Sequence, residues 1–219
     1  SVYRYGNLLM TTTAMLIARL SSTRLPAKNI KQILGRPMIE LLAERVSQAS
    51  SIDQVMITTS DQPSDDPLED LAGQLGIGCY RGSLDNVMER ISGAATAADC
   101  DHVVEILGDN PFVHSELIDD VVGLHLQGDY DYVSNITNEY EQADSKLKRF
   151  SLGIRVQVYK RKLAEAYVDY PETDNYSAYM FNNPDVFKVG YLEAAGKWLF
   201  ANRPGLNFAV NYKKNFEFA

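Results

Sequence analysis

Short apolar runs alternate with amphipathic stretches along most of this chain. Ala14-Met15-Leu16-Ile17-Ala18 is an apolar run that stops at Arg19, which predicts a buried strand running into a polar loop. Met38, Leu41, Leu42, Val46 and Ala49 then recur at helical spacing. Val55 to Thr59 is the next strand. Ser64-Asp65-Asp66-Pro67 opens a helix with Leu68, Leu71, Ala72 and Leu75 facing inward and Gly76 as its stop. Ile77 to Tyr80 reads as a brief strand, Asp85 to Ala97 as a helix and Val103 to Leu107 as a strand. Ser115 caps a helix running to Leu126 and ended by Gly128, and Tyr132 to Ser134 is a strand. This alternation predicts an α/β fold: a three-layer, mostly parallel Rossmann-like sheet covered on both faces. Ligands in such sheets sit beyond the carboxyl ends of the strands, where the loops after Arg19 and Gly108 both fall.

Beyond Ser134 the rhythm loosens. Asn138 to Arg149 is polar and predicts an exposed loop. Leu152 to Tyr159 suits an antiparallel strand, Lys162 to Tyr170 and Asn175 to Phe181 look helical, and Leu206 to Val210 is a last strand. We expect one domain over residues 1–219, with a small antiparallel subregion near 138–190.

Composition narrows the function. The chain has 219 residues, 45% of them apolar and 23% charged, enough for a substantial core. Its net charge of -8 argues against nucleic acid, which needs a broad basic face. Two cysteines, Cys79 and Cys100, make neither a disulfide framework nor a zinc site. No apolar run is long enough to span a membrane, and Ser1 to Asn7 carry no signal-peptide pattern; both predict a cytoplasmic protein. The sequon at Asn135 is then a chance match. His102, His114 and His125 lack metal spacing and read as structural. Gly76-Ile77-Gly78 follows a helix rather than a strand, the wrong context for a dinucleotide loop.

One local feature runs against the overall acidity. The first acidic residue is Glu40; before it stand Arg4, Arg19, Arg24, Lys28, Lys31 and Arg36. Arg19 to Lys28 combines three cations with the hydroxyls of Ser21, Ser22 and Thr23. Guanidinium forks and hydroxyl donors together suit a triphosphate, and Lys28 is a compact charge for an α-phosphate. Charge alone leaves open a solvated basic loop. Asp109 follows a strand, as a Mg²⁺ carboxylate would, and also fits a turn cap before Pro111.

These residues resemble a known signature. Ala18-Arg19, Ser21-Ser22-Thr23-Arg24-Leu25-Pro26-Ala27-Lys28 and Gly35-Arg36-Pro37-Met38 are similar to the nucleotide-binding pattern of cytidylyltransferases that activate acidic sugars. That group includes CMP-Kdo and CMP-sialic acid synthetases and the spore-coat polysaccharide type. Ala27 replaces the glycine of the pattern. Tyr80 to Arg90 and Leu107-Gly108-Asp109-Asn110-Pro111-Phe112 resemble two further family stretches. The resemblance implies a nucleotidyltransferase-type fold and cytidylyl transfer from CTP to an acidic sugar or similar acceptor, with release of pyrophosphate. It implies Arg19, Lys28 and Asp109 as catalytic, and Mg²⁺ on Asp109 and Asn211. Ala18, Leu20, Ser21, Ser22, Arg24, Arg81, Ser83, Asn86, Arg90 and Asn110 become substrate-binding positions. A homodimer is implied by analogy, with the tyrosines at 130, 132, 167, 170, 176 and 179 as either core or dimer face.

The second half departs from the pattern. Gln157 stands where the family has a glutamate, Asp174-Asn175-Tyr176 replaces a Glu-His stretch, and Asn211 replaces an aspartate. Two alternatives stay open: a nucleotidyltransferase for another base or for a sugar phosphate or phosphonate acceptor, and a degenerate nucleotide-binding paralogue.

Overall fold

Thr12–Ile17 (β1), Gln54–Ser60 (β2), Gly78–Gly82 (β3) and His102–Leu107 (β4) form the parallel core of a sheet. The computed structural model describes residues 4–5, 8–140, 144–166, 168 and 178–218. Tyr132–Asn135 (β5), Gln157–Lys160 (β6) and Val189–Leu192 (β7) complete seven strands in the order β7-β5-β6-β4-β1-β2-β3. β6 lies antiparallel to both β4 and β5, and β7 is parallel to β5.

The strands are apolar on both sides because both sides are covered. Alternate residues go to opposite layers: Ala14 and Leu16 to one, Met15 to the other; Val104 and Ile106 to one, Val103 to the other. The first layer holds helices Met38–Ser47 (α1), Asp66–Leu75 (α2) and Ser115–Gly128 (α4), which contribute Ile39, Leu42, Leu68, Leu71, Ile118 and Val122. The second holds Val87–Ala97 (α3), Arg161–Ala166 (α5) and Ala178–Asn182 (α6), through Ile91, Ala94, Ala164, Met180 and Phe181. This is the three-layer fold that the pattern predicts. No helix among the described residues is long and apolar enough to cross a membrane.

Several local expectations needed correction. His114, not Ser115, caps α4: its Nδ1 accepts from Glu116 N–H, and the helix ends in left-handed Asp129. The loop after Asn138 is not wholly exposed, because Tyr140 is buried and its hydroxyl donates to Ser134 Oγ. The antiparallel strand expected over Leu152 to Tyr159 is confined to Gln157–Lys160, Val189–Leu192 is a strand the pattern did not mark, and Leu206 to Val210 forms only an isolated bridge, Leu152 to Asn207. The chain ends its described part in a helix, Lys213–Phe218 (α7). The predicted helices at 162–170 and 175–181 are seen as 161–166 and 178–182; apart from Val168 the intervening positions, Tyr167, Tyr170, Asn175 and Tyr176 among them, lie outside the described residues. Asn135 is buried, its amide donating to Ile154 O and its Oδ1 accepting from Val156 N–H, so the sequon serves as a structural amide. Tyr132 is core, Tyr179 packs on Phe187, and Tyr130 lies under Lys188.

Candidate active site

β1 and β4 are hydrogen-bonded neighbours, so the loops at their carboxyl ends share one crevice. The approach is close: Gly108 N–H donates to Ile17 O at 2.8 Å. A Cβ on Gly108 would come within 3.0 Å of Ile17 O and of Asn29 Oδ1. Glycine lets the two loops meet.

Buried groups hold the basic loop. Fully buried Asp65 accepts from Leu20 N–H at 2.7 Å through Oδ1, and from Thr59 Oγ1 and the Ser60 hydroxyl through Oδ2. Ala27 N–H returns to Leu20 O at 3.0 Å, closing the turn. Leu25 packs with Met38 and Val210, and Asn29 Nδ2 donates to Arg19 O at 3.1 Å. Neither Asp65 nor Asn29 was singled out from the sequence. Asp65 reads there as an ordinary helix-start acid, and only its burial reveals the anchor.

The resulting cleft has a volume of about 590 Å³. Ala18, Arg19, Ser21, Ser22, Arg24, Lys28, Arg90 and Asp109 line it, as expected, joined by Thr23, Asn29 and Asp85. Arg19 is exposed and has no acidic partner among the described residues; Arg24 has none either, and lies 5.8 Å from the Tyr212 ring centre. Two guanidinium groups therefore face the cleft without a counter-charge of their own. Arg36, by contrast, is taken by Glu40 and Glu44 on α1.

The floor is a three-residue contact. Lys28 Nζ donates to Asp109 Oδ2 at 2.9 Å and to Asn211 Oδ1 at 2.8 Å. Asn211 arrives there because Leu152 and Asp109 tie down the preceding segment: Phe208 N–H donates to Leu152 O and Val210 N–H to Asp109 O, both at 2.8 Å. Asp109 Oδ1 is buried and has no hydrogen-bond partner among the described residues. A buried orphan carboxylate oxygen is costly, and it fits a divalent cation. Among the described residues no cluster of three or more His, Cys, Asp or Glu side chains forms, so such an ion would draw its other ligands from neutral oxygens, phosphate or water.

Several predicted positions lie outside the lining. Leu20 turns its side chain into the core and gives its amide to Asp65. Arg81 points to α2, where Glu69 at 2.8 Å and Asp66 at 2.6 Å take its guanidinium and raise its pKa. Ser83 Oγ accepts from Asn86 N–H, and Asn86 Oδ1 caps α3 by accepting from Glu89 N–H. Asn86 Nδ2 reaches Val168 O. Arg90, by contrast, does line the cleft, but it is buried and its guanidinium donates to Ser83 O at 2.6 Å. Asn110 is buried in the turn after Asp109. Gln157 is buried too: its Nε2 donates to Glu105 Oε1 at 2.9 Å and its Oε1 accepts from Tyr132 at 2.7 Å. An amide can do both; a carboxylate there would oppose Glu105.

Comparison with known proteins agrees with this architecture. The sequence model of a cytidylyltransferase family matches residues 13–176. The spore coat polysaccharide biosynthesis protein SpsF of Bacillus subtilis is 29% identical over 210 residues, covering 91% of this chain and 81% of that protein. A cytidylyltransferase of Leptospira borgpetersenii superposes with a TM-score of 0.82 at 21% identity, over 95% of this chain and 84% of that one. The structure of a CMP:2-keto-3-deoxy-manno-octonic acid synthetase complexed with CTP gives a TM-score of 0.69 at 16% identity, over 95% of this chain and 96% of the other.

Proposed function

The chain belongs to the cytidylyltransferase family of CTP-dependent nucleotidyltransferases, and we propose that it transfers CMP from CTP to an acidic sugar in polysaccharide biosynthesis. The single observation behind this reading is the cleft that sets Arg19, Arg24 and Lys28 around Asp109. The named relatives, a spore coat polysaccharide protein and a CMP-keto-acid-sugar synthetase, direct the choice of acceptor.

In this reading the acceptor hydroxyl attacks the α-phosphate of CTP in line. The new phosphorus–oxygen bond forms as the bond to pyrophosphate breaks, and the hydroxyl proton is released to solvent or to the departing pyrophosphate. Arg19 and Arg24 grip the outer phosphates, with Ser21 and Ser22 as further donors. Lys28 stabilises charge on the α-phosphate, and Arg90 fixes the wall beside the nucleoside. Asp109 would hold a divalent cation, which we take to be Mg²⁺; when bound it neutralises phosphate charge. Catalysis is then positioning and electrostatic stabilisation, with no covalent intermediate on the protein.

Titration with CTP, UTP, GTP and ATP, followed by pyrophosphate release with a panel of acidic sugars, tests the proposal. CTP should bind tightest, and at least one acidic sugar should release pyrophosphate. Replacing Arg24 and Lys28 together by Glu should weaken CTP by about a hundredfold, roughly two lost charge-assisted contacts. Tight CTP binding with no release from any acceptor would favour a nucleotide-binding paralogue instead.

A further inference from the structure

Lys28, Asp109 and Asn211 form an unusual cluster for a site that must receive a polyanion. Lys28 is only 9% exposed, and its ammonium sits between a carboxylate and an amide oxygen. An ammonium carries three donors and no acceptor. Two of the three are committed here, leaving the third for whatever enters the cleft that Lys28 lines.

We propose that Asn211 is a positioning residue for Lys28: it fixes the ammonium against Asp109 so that the remaining N–H meets the nucleotide phosphate, and it does so without adding negative charge. The inference rests on reading the cleft as the triphosphate site. It reassigns Asn211 from metal ligand to holder of the lysine. The Oδ1 of Asn211 already faces a cation 2.8 Å away, and a second cation on that oxygen would be repelled by the ammonium. Asp109 divides its work instead. Oδ2 takes Lys28, while Oδ1, buried and without a partner among the described residues, remains for a divalent ion.

Neutrality at position 211 is the functional content. Lys28 and Asp109 cancel, so the floor has no net charge, and the fields of Arg19 and Arg24 dominate the cleft. A carboxylate at 211 would leave the floor one unit negative beside the incoming phosphates, and would bind the ammonium more tightly than an amide does. The position is held by distant parts of the chain: Val210 N–H on Asp109 O, and Val210 packed with Leu25 and Met38.

The test uses the ligand-free protein and then CTP without metal. A brief pulse of acetylating reagent, read by mass spectrometry, reports the accessibility of each lysine amine. Lys28 in the wild type should react more slowly than exposed Lys214. Asn211→Ala should speed Lys28 labelling about tenfold, the lower end of the worth of one hydrogen bond to a charged group. Asn211→Asp should leave labelling at or below the wild-type rate, yet weaken CTP binding about tenfold, as an added like charge near the phosphates should. Labelling of the other lysines should stay unchanged in both variants, which guards against a folding defect. Unchanged Lys28 labelling in Asn211→Ala, or CTP binding by Asn211→Asp as tight as wild type, would overturn the proposal. Failure of the wild type to bind CTP at all would instead strike the assigned function, and the labelling result would still decide whether Asn211 holds Lys28.

Discussion

Ala27 stands where the resembled signature has glycine, and its backbone explains the preference. It has φ 55° and ψ 25°, the left-handed region, at the tight end of the basic loop. A Cβ there costs about 1 kcal/mol against glycine, partly offset by the greater freedom of glycine in the unfolded chain. Ala27→Gly should therefore stabilise the protein by about 0.5 kcal/mol and raise its melting temperature by about 1–2 °C, measured by calorimetry. A lower melting temperature would show that the loop is relaxed as it stands. Departure from the family at this position is thus a matter of strain, since the turn, Ala27 N–H to Leu20 O, is intact.

Among the elements, the segment from Leu206 to Val210 matters more than its irregularity suggests. It is not a sheet strand. It is sewn to Leu152 by two backbone bonds and to Asp109 by one, and it delivers Asn211 to the site. Gly153 makes this possible. Its φ is +81°, and a Cβ on it would lie 2.0 Å from Ala209 N and 2.4 Å from Phe208 C. These are backbone atoms that cannot rotate aside. Gly153→Ala should cost about 2–4 kcal/mol in urea unfolding and weaken CTP binding at least about fivefold as the Asn211–Lys28 contact loosens. Full stability with full CTP affinity would show that the segment is free to move without consequence. Sequence patterning marked this stretch as a strand because alternation records burial, not which neighbour accepts the hydrogen bonds.

Over the whole molecule, the two buried histidines at the end of the sheet opposite the cleft should make stability depend on pH just below neutrality. His102 Nδ1 and His125 Nε2 lie 3.0 Å apart, and both side chains are buried. Burial, with His102 and Lys160 adding to it, pushes the His125 pKa down to about 3, against the pull of Asp129 and Asp131; burial also lowers that of His102. Folded His125 is therefore neutral at pH 6, while an unfolded histidine titrates near 6.5. Below that value the unfolded chain takes up protons that the fold refuses. The stabilisation is complete above about pH 6.5 and is lost as pH falls toward 3, at up to about 1.4 kcal/mol per pH unit for His125. The urea midpoint should drop between pH 7.5 and 5.0, and His125→Gln should flatten that dependence even if it lowers the midpoint overall. An equally steep dependence in the variant would place the sensitivity elsewhere. The thiols contribute no such switch, since burial holds both Cys79 and Cys100 up at about 11.

The residue order alone determined the alternation of strands and helices, the two-sided burial of the sheet and the cationic loop after the first strand. These follow from periodicity and from neighbours in the chain, which folding does not rearrange. The meeting of Arg19, Lys28 and Asp109 was legible for the same reason: both loops sit at the ends of parallel strands. Only the tertiary structure decided that Arg81 goes to Glu69, that Gln157 pairs with Glu105, and that Asp65 props up the loop. Only it brought Asn211 to a lysine 183 positions away. Such contacts depend on which side chain is left without water and must find a partner, and that is settled by packing between distant segments, not by the spacing of residues along one of them.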